Sequence, residues 1–327
     1  MKTQTLRYSL FTAVDLRHFQ ELFALGAPRK TNDTSLELFT LLTHPLVGEH
    51  LAKEGIVQTH ELSHKESLHL TDDNNQNTAH IITVKQGAHA TITYHVSKTK
   101  EFLSTLIYLH IEQDANVTFC ELQELPLSAT YHAATLVSLK ENAKLFLTEA
   151  AIGAGNAITQ TVVNLEERGA SVHLSHFASL KENQLLAVDQ QANHLAPETT
   201  SHLIEKNALT NEATLTMRTL IDIKKNATNS QGRQRADTIL LSPRAQANTV
   251  PELEIATPEV SCSHAATTKR LSADELYYLM TRGLTKAEAK NLLLAWFFSA
   301  SAKNCEDEQF AKTLHEALLA TVSQKDL

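Results

Sequence analysis

Several kinds of chemistry are excluded by what the chain lacks. Three cysteines, Cys120, Cys262 and Cys305, occur in 327 residues, and no two stand at Cys-x-x-Cys spacing. An odd count without a framework fits a reducing compartment rather than a disulfide scaffold. No run of about 18 apolar residues exists to cross a bilayer. The first ten residues carry no basic stretch leading into an apolar one, so the expectation is a soluble, cytoplasmic protein. The formal net charge is −8, which gives neither nucleic acid nor an anionic membrane an electrostatic reason to bind. There is no Gly-x-x-x-x-Gly-Lys-Ser/Thr loop and no Gly-x-Ser-x-Gly elbow. Gly153-Ala154-Gly155 lacks the third glycine of a dinucleotide fingerprint and reads as a turn. If ATP drives anything here, a partner must supply it.

What is present is a repeat. Ala88, Ala115, Ala143 and Ala170 follow one another at steps of 27, 28 and 27 residues. A turn-former precedes each: Gly87, Asp114, Asn142 and Gly169. Apolar residues stand two positions on (Ala90, Val117, Leu145, Val172) and four positions on (Ile92, Phe119, Leu147, Leu174). Val84, Ile111 and Leu139 stand four positions before, and the fourth copy slips by one to Leu165. The pattern is a strand, a tight corner with a small residue packed inside it, and a new strand with inward residues at alternate positions. Such a unit cannot bury its own face, and stacked copies bury a continuous one. A rung of this length predicts a parallel β-helix, since a propeller blade needs about 40 residues. Beyond Ala170 the repeat loses register; Thr214–Ile223 and 238–241 still read as strands, and an irregular coil or insertion is expected near 194–202.

Helices are expected on either side. Val14–Leu25, Leu36–Leu42 and Val47–Glu54 have helical spacing and stop at glycine or proline. Ser272-Ala273-Asp274-Glu275 and Thr285-Lys286-Ala287-Glu288 are capping boxes. The second opens a helix with Ala289, Leu292, Leu293, Trp296 and Phe297, and a third helix over 307–322 presents Phe310, Leu314, Ala317, Leu318 and Val322. The domain plan is therefore a helical region at 1–55, a solenoid at 56–270 and a helical region at 271–327.

Candidate chemistry is sparse. The 17 histidines are scattered, with no His-x-His pair and no metal-site spacing against cysteine. Surface and turn positions account for them, and a stand-alone metal chaperone is the alternative. Glu166 and Glu167 could serve a β-helix carbohydrate enzyme, but their counterparts are Glu112-Gln113 and Lys140-Glu141, the pattern of a solvated corner.

The most distinctive stretch runs Pro251-Glu252-Leu253-Glu254-Ile255, then Val260-Ser261-Cys262-Ser263-His264-Ala265-Ala266-Thr267. After it come Asp274-Glu275-Leu276-Tyr277-Tyr278-Leu279, Arg282-Gly283-Leu284-Thr285 and Glu288-Ala289. These segments resemble the SufB/SufD family of iron–sulfur cluster assembly subunits. So do Ile239-Leu240-Leu241-Ser242-Pro243 and the His194, Pro197, Ser201 turn. The Cys-Ser-His order resembles the SufD-type branch. The resemblance implies a right-handed parallel β-helix with helical flanks and no turnover of its own. It implies a scaffold in a SufBC2D complex that pairs with a SufB-like subunit and carries a SufC-like ATPase on its C-terminal helices. It also implies that His264, supported by Cys262, lies at the subunit interface where a nascent cluster forms, with His264 as a metal ligand. A transient cluster is implied there, and no tightly bound cofactor. Tyr277, Tyr278, Arg282, Gly283 and Glu288 fall where the ATPase docks, although Gly283 and Glu288 also read as plain capping residues. Alone, the chain is open to pairing with itself. Departures from the family are Ala265 in place of a glycine, a brief N-terminal region, and no Trp-x-Tyr segment before the β-helix.

Overall fold

The computed structural model describes residues 56–72, 77–97, 102–299, 303 and 305–322. The three helices expected within 1–55 lie outside these residues. Among these residues sixteen strands form two sheets. One runs β1 (Ile56–Leu62), β3 (Thr78–Val84), β5 (Phe102–Ile111), β7 (Thr130–Leu139), β9 (Asn156–Leu165), β11 (Leu185–His194), β13 (Thr214–Ile223), β15 (Gln246–Ile255). The other runs β16 (Val260–Arg270), β14 (Ser230–Leu240), β12 (Thr200–Leu209), β10 (Ser171–Leu180), β8 (Lys144–Ala151), β6 (Asn116–Gln123), β4 (His89–Val96), β2 (Lys65–Asp72). Every pairing is parallel and joins a strand to the one two places on, so the chain alternates between the sheets and each pair of strands is one rung. This is a β-solenoid of about seven turns, as the repeat predicts.

The corners explain the repeat. Gly87, Asp114, Asn142 and Gly169 all have φ between 56° and 74°. That is the left-handed region, which glycine enters freely and asparagine and aspartate tolerate better than most residues. Each donates its backbone N–H to the next rung: Gly87 to Gln113 O at 2.9 Å, Asp114 to Glu141 O at 2.8 Å, and Asn142 to Arg168 O at 2.9 Å. Ala88, Ala115, Ala143 and Ala170 are buried inside, stacked with the apolar residues that follow them in one core cluster.

The expected loss of register is overturned. Glu198 and Asn229 continue the left-handed column, with φ of 60° each, and donate to Thr228 O at 2.9 Å and Glu259 O at 2.7 Å. The rungs lengthen slightly, and the inner alanine becomes Thr199 and then Ser230. No insertion stands near 194–202: β11 (Leu185–His194) is followed after five residues by β12 (Thr200–Leu209). Hydroxyls fill the corner instead of methyls. Thr199 and Ser230 are hydrogen-bonded at 2.8 Å, and both are buried. Gly153-Ala154-Gly155 is the corner between β8 (Lys144–Ala151) and β9 (Asn156–Leu165). A Cβ on Gly153 would lie 2.1 Å from Leu125 N, so close stacking of corners accounts for that glycine.

The helices are α1 (Ala273–Met280), α2 (Lys286–Phe297) and α3 (Glu308–Val322). Only Thr285 makes a complete capping box; Ser272 accepts from Asp274 N and Glu275 N, while the Glu275 carboxylate turns to Lys269 at 3.2 Å. α2 and α3 cover the outer face of the even-numbered sheet. Leu294, Phe297, Phe298, Leu314 and Leu318 pack there with Leu122, Phe177 and Ile239. Lys206 Nζ donates to Phe297 O at 3.0 Å.

The lumen is not wholly apolar. Glu121, Glu149, His176 and Glu205 are register partners on successive strands of the even sheet. All sit at positions in step with the inward core residues of their strands. Glu149 accepts from Thr161 Oγ1 and from Gln190 Nε2 at 2.9 Å, and Glu205 from Thr219 Oγ1 at 3.2 Å. Burial pushes the Glu149 carboxyl up to about 7 and the Glu205 carboxyl up to about 8. It holds the His176 imidazole down at about 4. Near neutral pH the Glu205 carboxyl and the His176 imidazole are therefore largely uncharged, and the Glu149 carboxyl is about half protonated.

The signs of these shifts oppose one another. The carboxyls bind protons more tightly folded than unfolded, so they lower stability as pH rises through their folded values. The histidine binds protons more weakly when folded, and its effect is complete by about pH 6.5. Between about pH 6.5 and 8 only the carboxyls contribute, and stability falls. The double variant Glu149→Gln/Glu205→Gln removes a fall on the order of 2 kcal/mol between about pH 6.5 and 8. Urea unfolding across that range checks this: a fall as steep as the parent's would show that neither carboxyl is held protonated.

Candidate functional site

Cys262 and His264 lie on β16, the last strand of the even sheet. β16 is hydrogen-bonded to β14 (Ser230–Leu240) on one side and, among the described residues, to nothing on the other. Val260 and Cys262 pack against the solenoid core. Strand alternation then puts His264 on the same, lumen-facing side. Its register partner Gln234 is buried in the rung behind, whereas His264 itself is exposed because no further rung covers it. Cys262 stands in register with Gly232, and its half-burial pushes the thiol up. From Ser263 to Arg270 every side chain is exposed. β15 ends the other sheet in the same way, with Glu254 and Ile255 exposed.

The pair therefore sits on a bare solenoid end. Among the described residues, no group of three or more His, Cys, Asp or Glu side chains is arranged to hold a metal. A thiol and an imidazole are two soft-to-borderline ligands, and a closed site needs about four. The remaining ligands would have to come from a second chain across this end.

The second candidate group lies on the first two helices. No residue of α1 is buried, and Tyr277 is 70% exposed and Tyr278 57%. The Arg282 guanidinium lies 5.3 Å from the Tyr278 ring centroid. Gly283 follows α1, and Glu288 closes the Thr285 cap, accepting from Thr285 N at 2.7 Å. The Thr285 backbone and hydroxyl donors hold the Glu288 carboxyl below its usual range. Glu288 thus has a structural task at the start of α2. Of the apolar residues that the sequence places on α2, Leu292 and Trp296 stand 51% and 74% exposed. α2 buries Ala289, Leu294 and Phe297 instead. The exposed tryptophan of α2 adds a stronger anchor to the two exposed tyrosines of α1, and the missed signal was the four-residue spacing of Leu292 and Trp296, which makes them one stripe.

Other sequence candidates have structural explanations. His194 is buried between Thr199 Oγ1 at 2.7 Å and Ser201 Oγ at 2.8 Å, and burial holds its imidazole down at about 4. It fastens a corner as a neutral side chain. Glu166 and Glu167 both meet Lys140, at 3.0 and 3.3 Å, across adjacent solvated corners.

A family model described as "SUF system FeS cluster assembly, SufBD core domain" matches residues 68–297. The iron–sulfur cluster assembly protein SufD of Escherichia coli (strain K12) is 23% identical over 256 residues, which is 76% of this chain and 59% of that protein. An iron–sulfur cluster assembly SufBD family protein of Mycobacterium bovis is 32% identical over 110 residues, 34% of this chain and 13% of the relative. One from Staphylococcus epidermidis is 21% identical over 208 residues, 64% and 45% of the two chains. The chain thus spans less than two thirds of the length of each of these relatives. Both candidate groups fall within the matched residues.

Because His264 touches little of its own chain, His264→Ala should change unfolding free energy by no more than about 0.5 kcal/mol. A larger loss in a chemical denaturation curve would mean that the imidazole supports the fold, and would disqualify it as a residue kept for a partner or ligand.

Proposed function

The chain belongs to the SUF-system SufBD core family, and from that premise we propose that it is a non-catalytic scaffold subunit in iron–sulfur cluster assembly. Its bare solenoid end, β15 with β16, meets a SufB-like partner; in that partner's absence the same end closes against a second copy of this chain. The exposed helical surface of Tyr277, Tyr278, Leu292 and Trp296 carries a SufC-like ATPase. The single observation behind the reading is that Cys262 and His264 stand on a strand whose outer edge is unpaired among the described residues. An open parallel edge is a liability that proteins cover, and a partner strand or face is the ordinary cover.

The iron and sulfide are cargo. His264 and Cys262 would offer two ligands from this side of the interface, the imidazole neutral and the thiol giving up its proton on binding. The raised Cys262 pKa favours a site that loads only when iron is present to compete with that proton. The helices hold the ATPase some distance away, so nucleotide-driven motion would act on the interface through the solenoid as a rigid lever.

Two measurements test this. The tagged chain is co-expressed with a SufB-type and a SufC-type protein, and the purified complex is assayed for ATPase activity, iron and sulfide. A stable ternary complex is expected, and His264→Ala should leave its composition intact while abolishing cluster acquisition. Trp296→Ala should weaken ATPase capture by about 2 kcal/mol or more without loss of the SufB-type subunit. Failure to capture either partner would overturn the scaffold reading.

A further inference from the structure

Two of the three cysteines, far apart in sequence, meet in the folded chain. Cys120 is on β6 (Asn116–Gln123), whose Val117 and Phe119 point into the core, so Cys120 faces outward. Cys305 lies three residues before α3, which crosses the outer face of β6 and β10 (Ser171–Leu180). Cys120, Cys305 and Ala311 form one buried cluster with Phe310 packed against it. Both thiols are free and buried, at 0% and 8% exposure. We propose that Cys120 and Cys305 are a redox modification site, a dithiol that a peroxide closes to a disulfide, clamping the start of α3 to the solenoid.

The roles of the two sulfurs differ. The Cys120 S–H donates to the Cys305 sulfur, which holds the Cys305 thiol below its ordinary value. The same bond, together with burial, pushes Cys120 up. Cys305 is therefore the sulfur that becomes a thiolate and attacks. Its attack on the peroxide O–O bond gives a sulfenic acid at Cys305 and releases water once the leaving hydroxide takes the thiol proton. Cys120 then attacks the Cys305 sulfur, its proton leaving with the hydroxyl group as a second water. Two thiols and one hydrogen peroxide become one disulfide and two waters, the thiols losing two electrons and the peroxide gaining them. The resolving thiol is already in contact, so closure outruns further oxidation to the sulfinic acid.

The consequence is mechanical. Near its start α3 is also held by contacts at the surface: Thr91 Oγ1 donates to Glu306 at 2.9 Å, and the Phe310 ring meets His95 edge-on. Surface contacts of that kind open readily, whereas a disulfide does not. Cys262, on the terminal strand at the end of the solenoid, belongs to neither sulfur's surroundings and provides an internal control. The inference stands whether or not the scaffold reading holds.

The test uses the whole chain, reduced and then treated with one equivalent of hydrogen peroxide. Unreduced tryptic peptides should contain a Cys120–Cys305 cross-link that a dithiol reductant reverses, with Cys262 alkylatable throughout. Amide hydrogen exchange in α3 should slow by about tenfold or more on oxidation. That slowing should be absent in Cys120→Ala. Accumulation of sulfinic acid at Cys305 with Cys120 still alkylatable, a cross-link through Cys262, or unchanged α3 exchange in the cross-linked chain would each overturn the proposal.

Discussion

Parallel in-register stacking is the constraint on which the rest of the molecule depends. Each rung satisfies its backbone only through the rungs before and after it, so a displacement at one corner would propagate to every strand beyond. The left-handed corner column, Gly87 through Asn229, is where this is enforced. Its N–H groups reach forward one rung and tie the corners into a ladder of their own. The corner accepts alanine, threonine or serine inside, but it does not accept bulk. That tolerance lets the rung grow from 27 residues to about 30 while the strands keep register.

The same constraint creates the candidate site. A stack has ends, and at an end the ladder has donors and acceptors with no next rung to receive them. Among the described residues the outer edge of β16 is such an end, and it carries Cys262, half-buried against the core, and the exposed His264. Cys262 continues an inward column whose earlier members are Leu145 and Val172, and His264 continues one whose earlier members are Leu147 and Leu174. Position in the register fixes where these side chains point. The absence of a following rung makes them available. In the proposed assembly, chemistry at this place would need no pocket of its own, because a second chain would supply the other half of the cavity.

The fold was legible in the sequence because its cause is local and periodic. Four alanines at near-constant spacing, each behind a residue able to take positive φ, leave few architectures open. Legibility failed where the corner changed chemistry without changing geometry: Thr199 and Ser230 do the work of alanine through hydrogen bonds, and a pattern keyed to methyl groups cannot see them. Trp296 was not singled out for a different reason. Helical spacing only groups it with the other apolar residues of α2, and the packing of α2 on the sheet shows which of them are buried. Cys262 and His264 were legible through family resemblance alone, since nothing in their spacing distinguishes a strand at the end of a stack from one in its middle. The Cys120–Cys305 contact was legible from nothing, because it joins a mid-chain strand to the edge of a C-terminal helix.

The polar lumen shows what the stack can afford once its backbone is satisfied. Burying Glu149, His176 and Glu205 costs stability, and that cost is limited because burial favours the uncharged form of each and the two carboxyls are met by a hydroxyl or amide from the facing sheet. A solenoid spreads such a cost over many rungs, each of which contributes a nearly complete set of hydrogen bonds and apolar contacts. A small domain with a single core has no such reserve. Repetition therefore does more than lengthen the molecule. It supplies the surplus stability that permits polar groups in the lumen and a bare edge at the end, and these are features a protein must carry if its reactive surface is completed only by a partner.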